Sequence, residues 1–214
     1  MNRAQELAEN LADVKARITN PHVNLIVVTK TYPASDVEIL KNLGVNNFGE
    51  NRNEEGLEKS SVIDATWHYQ GEIQSRKLRD IARWADVIHS LDNLGHIAKL
   101  ESVTEKNIEV FLQLSLDGDP TRGGAPESAL SELADAVQSS NHLRLMGLMC
   151  VPPIAMDPRA AFTDISQIHR RFTEKYPTAH SLSAGMSGDF EIAIDCGATH
   201  VRIGSSILGP RNYR

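Results

Sequence analysis

Short apolar, β-branched runs alternate with amphipathic helical stretches along almost the whole chain, and this alternation limits the fold more than any single motif. Residues 2–18 place Leu7, Leu11, Val14 and Ile18 on one helical face, and Asn20-Pro21 ends that segment. Residues 25–29, LIVVT, read as a strand buried on both faces. Ser35 is expected to cap a helix carrying Val37, Ile39, Leu40 and Leu43, closed by Gly44 and followed by a short strand at 45–48. Further strands are expected at 66–70, 86–89, 108–116, 143–150, 180–183 and 199–203. The helices between them are expected at 75–84, 93–104, 126–139 (with Pro126 at the first helical position), 158–176 and 189–196.

Eight strands separated by helices imply a parallel sheet with helices outside it, and eight units fit a closed (β/α)8 TIM barrel. A chain of 214 residues is near the lower limit for that fold. An open doubly wound sheet with some miscounted strands is the alternative. No linker, low-complexity tract or strong repeat interrupts the pattern, so 1–214 is expected to form a single domain.

Lys plus Arg number 22 and Asp plus Glu 28, a net charge of −6, which argues against a bulk electrostatic grip on nucleic acid or anionic membrane. A 41% hydrophobic and 23% charged composition excludes wholesale disorder. Cys150 and Cys196 are too few for a disulfide framework and are expected to be buried, reduced thiols. The charged, amphipathic amino terminus lacks the features of a targeting peptide, and no apolar run approaches a membrane span. A cytoplasmic location is therefore expected.

In a barrel the chemistry sits at the carboxyl ends of the strands. Lys30 follows four apolar residues there, where a dry environment can make its amine a nucleophile toward carbonyls. The alternative is a lysine that snorkels from the rim into water. FGENR, residues 48–52, supplies a glycine turn with Glu50 and Asn51 aimed at the mouth. Strand alternation puts His68 and Gln70 on one face and Trp67 and Tyr69 on the other, with His68 either a pocket residue or a satisfied core histidine.

The carboxyl-terminal quarter reads LSAGMSGDFEIAI and then VRIGSSILG. The loops after strands seven and eight of such barrels often bind phosphate. Gly204 lets the backbone approach an anion, and Ser205 and Ser206 supply donors. Asp189 and Glu191 open the helix entered at Ser187 and would repel phosphate, so Gly204 to Ser206 is the expected cradle; a plain capped turn is the alternative. Arg202 interrupts an apolar strand and either enters the barrel mouth or pairs outward with a helix carboxylate. The histidines show no metal-site spacing, so no metal is expected. Residues 117–124, DGDPTRGG, form a glycine-rich loop that could act as a lid and is no P-loop. Arg76, Lys77, Arg79 and Arg83 read as a solvated helix face.

An amine on the first strand, an arginine in the last and an anion cradle just beyond it suggest one ligand with an aldehyde, a ring nitrogen and a phosphate: pyridoxal phosphate. The stretches VTKTYP, GVNNFGENR, WHYQGEIQSRK, ADVIHSLD, LMGLMCVPP, LSAGMSGDFEIAI and VRIGSSILG, spread over residues 30–209, resemble the pyridoxal-phosphate homeostasis protein family, related to the barrel of alanine racemase. The resemblance implies a monomeric (β/α)8 barrel with an extra amino-terminal helix. It implies a Schiff base at Lys30, a ring-nitrogen contact from Arg202, and phosphate on the main chain of Gly204 and Ser205 with help from Ser183 or Ser187. Asn51 and His68 fall at pocket-lining positions of the family. The chain departs from the family at Gln70, usually a small aliphatic residue, at 73–77, IQSRK for the commoner LQxNK, and in LSAGMS for LSMGMS.

Arg202 bears on function. A permanently charged partner disfavours protonation of the ring nitrogen, which argues against transaminase chemistry. Racemases of this lineage add a β domain and a tyrosine base from a partner subunit, and the sequence here ends about eleven residues past its last expected strand. The expectation is a non-catalytic carrier that binds pyridoxal phosphate reversibly, serves vitamin B6 homeostasis and hands the cofactor to apoenzymes. The alternatives are a weak amino-acid racemase using Lys30 as base and a Schiff-base aldolase acting on a phosphorylated sugar.

Overall fold

The computed structural model describes residues 2–119 and 121–210. Within them, α1 (Arg3–Arg17) precedes eight strands. These are β1 (Asn24–Val28), β2 (Asn47–Glu50), β3 (Thr66–Tyr69), β4 (Val87–Leu91), β5 (Ile108–Leu114), β6 (Leu143–Cys150), β7 (Ser181–Ser183) and β8 (His200–Ile203). The connecting helices are α2 (Ala34–Asn42), α3 (Asn53–Ser60), α4 (Leu78–Trp84), α5 (Leu94–Val103), α6 (Leu130–Gln138), α7 (Pro158–Lys175) and α8 (Phe190–Asp195), and α9 (Ser205–Leu208) follows β8. The strands pair in sequence order, and β8 pairs with β1 in parallel, with Ile26 opposite Arg202, so the sheet closes. This is the (β/α)8 barrel the pattern implies, and the open-sheet alternative falls.

Strand alternation divides the barrel into two layers. Val27, Phe48, Trp67, Ile88, Val110, Leu148 and Val201 join the helices in one large apolar core outside the sheet. Inside, Val87, Phe111 and Met149 form a small separate cluster, and the remaining inward positions are largely polar. The extra helix α1 carries Leu7, Leu11 and Val14 into the outer core and is tied to neighbouring segments by polar contacts. Arg3 donates to Asp36 and to the Leu208 carbonyl, and Asn10 donates to the Ile207 carbonyl.

Some boundaries differ from the sequence reading. Pro33, not Ser35, precedes the first residue of α2, and Ser35 lies in its first turn. β2 starts two residues later than expected because Val45 belongs to the helix ending. With Gly44 at φ +85°, the Gly44 N–H donates to the Lys41 carbonyl and the Val45 N–H to the Leu40 carbonyl, the doubled bonding that closes helices at glycine. Glu50 is consequently the last residue of a strand rather than part of a turn. Pro126 caps a 3-10 turn (Glu127–Ala129) ahead of α6 instead of standing at the first helical position. The helix α3 has no apolar stripe to reveal it, since its buried face is Asn53, Gly56 and Lys59. Gly56 sits under Trp84, where a Cβ would come within 2.3 Å of the indole, and Asn53 accepts from the Trp84 Nε1–H at 3.0 Å. Cys150 is buried as expected, but Cys196 is only half-buried, and both thiols are free. No helix among the described residues is long and apolar enough to cross a membrane.

Candidate functional site

The strand register assembles the rim. Val28 stands opposite Gly49, and Glu50 opposite Tyr69. Extending those registers by two residues and by one sets Lys30, Asn51 and Gln70 side by side where β1, β2 and β3 end. Lys30 is half-buried. The Asn51 Oδ1 and Gln70 Nε2 atoms are buried and lack a hydrogen-bond partner, so two amides beside the lysine have bonding capacity to spare. Backbone crowding fixes this edge, because a Cβ on Gly71 would lie 2.2 Å from the Asn51 carbonyl oxygen.

The same logic brings in the chain's last turns. Val27 pairs with Ile203, which carries Gly204 alongside Val28. The Ser187 hydroxyl accepts from the N–H groups of Gly204 and Ser206, each at 3.3 Å. Both bonds are long, so two main-chain donors and a hydroxyl converge on one spot with only weak satisfaction of each other. A Cβ on Gly204 would come within 3.1 Å of the Val28 carbonyl oxygen. Ser205 is exposed at the same turn. Asp189 caps α8, and its carboxylate accepts from the Met186 N–H at 2.6 Å.

Arg202 points inward and is 5% exposed, which removes the outward-facing alternative. Its Nη1 donates to the Ser183 carbonyl at 2.7 Å and to the Ser183 hydroxyl at 2.8 Å, while Nη2 donates to the Cys150 carbonyl at 3.1 Å. All three acceptors are neutral, and burial lowers the guanidinium to about 10. Arginine has five N–H donors, so some remain for a ligand. Burial also pushes the Cys150 thiol up to about 12, which leaves it inert.

Behind Arg202 a polar chain crosses the barrel interior. The Ser183 hydroxyl lies 3.0 Å from His89 Nδ1, His89 Nε2 lies 2.9 Å from His68 Nδ1, and His68 Nε2 lies 3.1 Å from Asn47 Oδ1. Burial, the first cause in each case, holds His68 at about 3 and drives His89 well below its ordinary value, so both rings are neutral. A neutral imidazole has one donor and one acceptor. The Asn47 Oδ1 atom can only accept, so the His68 Nε2–H donates to it, the His89 Nε2–H donates to His68 Nδ1, and the Ser183 hydroxyl, which accepts from Arg202, donates to His89 Nδ1. One tautomer at each ring satisfies every link. Phe111 stacks on His89 at 4.5 Å, and its edge meets His200, lowered by burial to about 4.

Of the residues singled out from sequence, the structure gathers Lys30, Asn51, Ser187, Gly204 and Ser205 around the carboxyl-terminal rim, with Arg202 beneath. Ser183 and His68 lie deeper, with their polar atoms committed to one another's network rather than to the rim. In the glycine-rich 117–124 loop, of which residue 120 lies outside the described residues, Arg122 donates to the carbonyls of Val151 and Pro152, and the Gly124 N–H donates to Asp92 at 3.1 Å. Sequence reading missed His89, Lys59 and the buried role of Glu50. For His89 a signal existed, since alternation along VIHSL puts Val87 and His89 on one face. A cleft of about 620 Å3 opens at the opposite end of the barrel beside Thr66, Glu109 and Arg144, and none of the rim residues lines it.

Residues 3–212 match the family model for the alanine racemase N-terminal domain. The pyridoxal phosphate homeostasis protein of Corynebacterium glutamicum is 42% identical, with 88% of this chain and 90% of that protein aligned. The protein of the same name from Mycobacterium leprae is 36% identical across 100% of this chain and 96% of its own length. Among solved structures, PipY of Synechococcus elongatus with PLP bound superposes with a TM-score of 0.86 at 28% identity, covering 95% of this chain and 100% of PipY. Alanine racemase from Corynebacterium glutamicum shares the fold at a TM-score of 0.78 and 14% identity, with 60% of its chain covered.

Proposed function

Given that the chain belongs to the pyridoxal phosphate homeostasis protein family, we propose that it binds pyridoxal 5′-phosphate through a reversible Schiff base to Lys30 and serves as a carrier in vitamin B6 homeostasis. The observation that carries this reading is the convergence, on one rim, of the Lys30 amine, two buried amides with unused bonding atoms, and the paired N–H groups of Gly204 and Ser206. Pyridoxal phosphate supplies, when bound, an aldehyde that condenses reversibly with amines and a ring able to withdraw electrons.

The chain's own residues set what can be done with it. Lys30 would hold the aldehyde carbon, and Asn51 the ring substituents nearest that amine. Gly204, Ser205 and Ser206 main chain with the Ser187 hydroxyl would hold the phosphate. Ser187 suits this better than Ser183, which is fully buried and bonded to Arg202 and His89. His68 lines the pocket floor only through His89 and Ser183. Arg202 would face the ring nitrogen, and its fixed charge keeps a proton off that atom. A ring so held is a weak electron sink, which suits storage and release better than turnover.

The same reading takes residues 1–214 as a single pyridoxal-phosphate-binding domain, monomeric and cytoplasmic, that passes the cofactor to apoenzymes. With pyridoxal phosphate added, wild-type protein is expected to show a visible absorption band that borohydride abolishes, fixing the label on Lys30 by peptide mass mapping. Lys30→Ala is expected to show neither band nor label. Robust amino-acid racemisation that depends on Lys30 would replace the carrier reading with an enzymatic one.

A further inference from the structure

Beneath Lys30 lies a cluster of three charged side chains that the cofactor reading does not use. Glu50 ends β2 and is 0% exposed; Lys59, on α3, is 4% exposed. The Lys59 ammonium donates to Glu50 at 2.6 Å, to Glu55 at 3.2 Å and to the Thr29 carbonyl at 2.9 Å. The Thr29 hydroxyl donates to Glu50 at 2.6 Å, and the Thr31 N–H donates to Glu55 at 2.6 Å. Every one of these bonds ends either within the cluster or on the residue just before or just after Lys30.

The backbone there needs holding. Thr31 has φ +70°, a conformation that a β-branched residue adopts at a cost of order 1–3 kcal/mol and keeps only when its surroundings impose it. The Glu55 carboxylate supplies that restraint directly on the Thr31 N–H. A buried ionic cluster is a poor choice if the aim is stability alone, since well-packed apolar side chains do as well or better. Glu50 also keeps its Oε2 atom buried and unpaired, and burial raises its carboxyl despite the Lys59 ammonium. What the charges provide is directional bonding that apolar packing lacks.

We propose that Glu50, Lys59 and Glu55 form a positioning clamp that grips the main chain on both sides of Lys30 and thereby sets where its amine enters the barrel mouth. The proposal rests on the cofactor reading for its purpose, though not for its geometry. None of the three is a catalytic residue; Lys59 and Glu55 act through the backbone of Thr29 and Thr31, and Glu50 through the Thr29 hydroxyl and by holding Lys59.

The test uses Glu55→Ala, because Glu55 is partly exposed and its loss leaves the Lys59–Glu50 pair intact. In the full-length protein this variant is expected to slow formation of the borohydride-trappable bond between pyridoxal phosphate and Lys30 by about tenfold or more, as misplacement of a reacting group does. Affinity for pyridoxine 5′-phosphate, which has the ring and phosphate but no aldehyde, is expected to stay at the wild-type value. Glu55→Gln keeps an acceptor for the Thr31 N–H and should restore most of the rate. A wild-type rate in Glu55→Ala, or an equal loss of pyridoxine phosphate binding, overturns the clamp. If wild-type protein traps no pyridoxal phosphate, the cofactor reading fails instead. The clamp is then judged on the protein alone by competitive acetylation. A change of about threefold or more in Lys30 reactivity, with other lysines unaffected, supports it, and no change overturns it.

Discussion

Replacing His89 with leucine is expected to lower the unfolding free energy by roughly 3–5 kcal/mol, even though leucine is the more hydrophobic residue. Each buried polar group left without a partner costs about 1–3 kcal/mol, and removing this ring strands the His68 Nδ1 acceptor and the Ser183 hydroxyl hydrogen, although the Ser183 oxygen keeps its bond from Arg202. His89 is 0% exposed, so water cannot repair either loss. The decisive measurement is a double-mutant cycle by urea unfolding. Removing both rings together, as His68→Leu with His89→Leu, should cost less than the sum of the two single changes by about 1 kcal/mol or more, because the second removal takes away a group the first had orphaned. Strictly additive single effects would show that the two imidazoles are not bonded. The change should also reach the binding site, since Ser183 is oriented from both sides, by His89 and by Arg202.

The outer layer of the barrel was legible in the sequence because it is apolar and periodic. β6 at 143–150 coincides with the run read from sequence, and the helix expected at 93–104 is α5, with Asn93 as its cap, its side chain accepting from the His96 N–H at 2.9 Å. The inner layer was much less legible. Lys30 and Arg202 stood out only because each breaks an apolar run, whereas His89 sits between Ile88 and Ser90 in a strand where a polar residue raises no alarm. Helix α3 and the clamp it carries were invisible for the opposite reason. Where Gly56 admits an indole and Lys59 is buried among carboxylates, the buried face of a helix reads as a solvated loop. The two candidate phosphate serines could not be separated by sequence either. One ends β7 and the other follows it closely, and only the three-dimensional path shows that Ser183 turns inward to Arg202 while Ser187 reaches the Gly204 turn.

The polar interior has a second consequence, in acid. His68, His89 and His200 all have folded-state values depressed mainly by burial, His68 to about 3 and His200 to about 4. In the unfolded chain each takes up a proton near its ordinary value of about 6.5. Between those limits the unfolded state binds more protons, so stability is fully present above about pH 6.5 and falls as the pH drops toward the folded values. Each histidine contributes a slope of about 1.4 kcal/mol per pH unit in that window. Acting together the three approach roughly 4 kcal/mol per unit, against a total stability that for domains is typically about 5–15 kcal/mol. Glu50 works in the other direction, because its raised carboxyl makes the folded state the better proton acceptor there, but it is one group against three. Protein without added ligand is therefore expected to unfold with a midpoint between about pH 4 and 5.5, followed by far-UV circular dichroism, with urea titrations at pH 7, 6 and 5 giving the slope. His200→Gln removes one of the three and should reduce that slope by about a third, since among the described residues the His200 ring bonds Thr199 and Asn24 and lies outside the chain to Arg202. A loss of less than about 1 kcal/mol between pH 7 and 5 would mean that the interior histidines exchange protons with solvent in the folded barrel. The dry hydrogen-bonded path from Asn47 to Arg202 could not then exist as described.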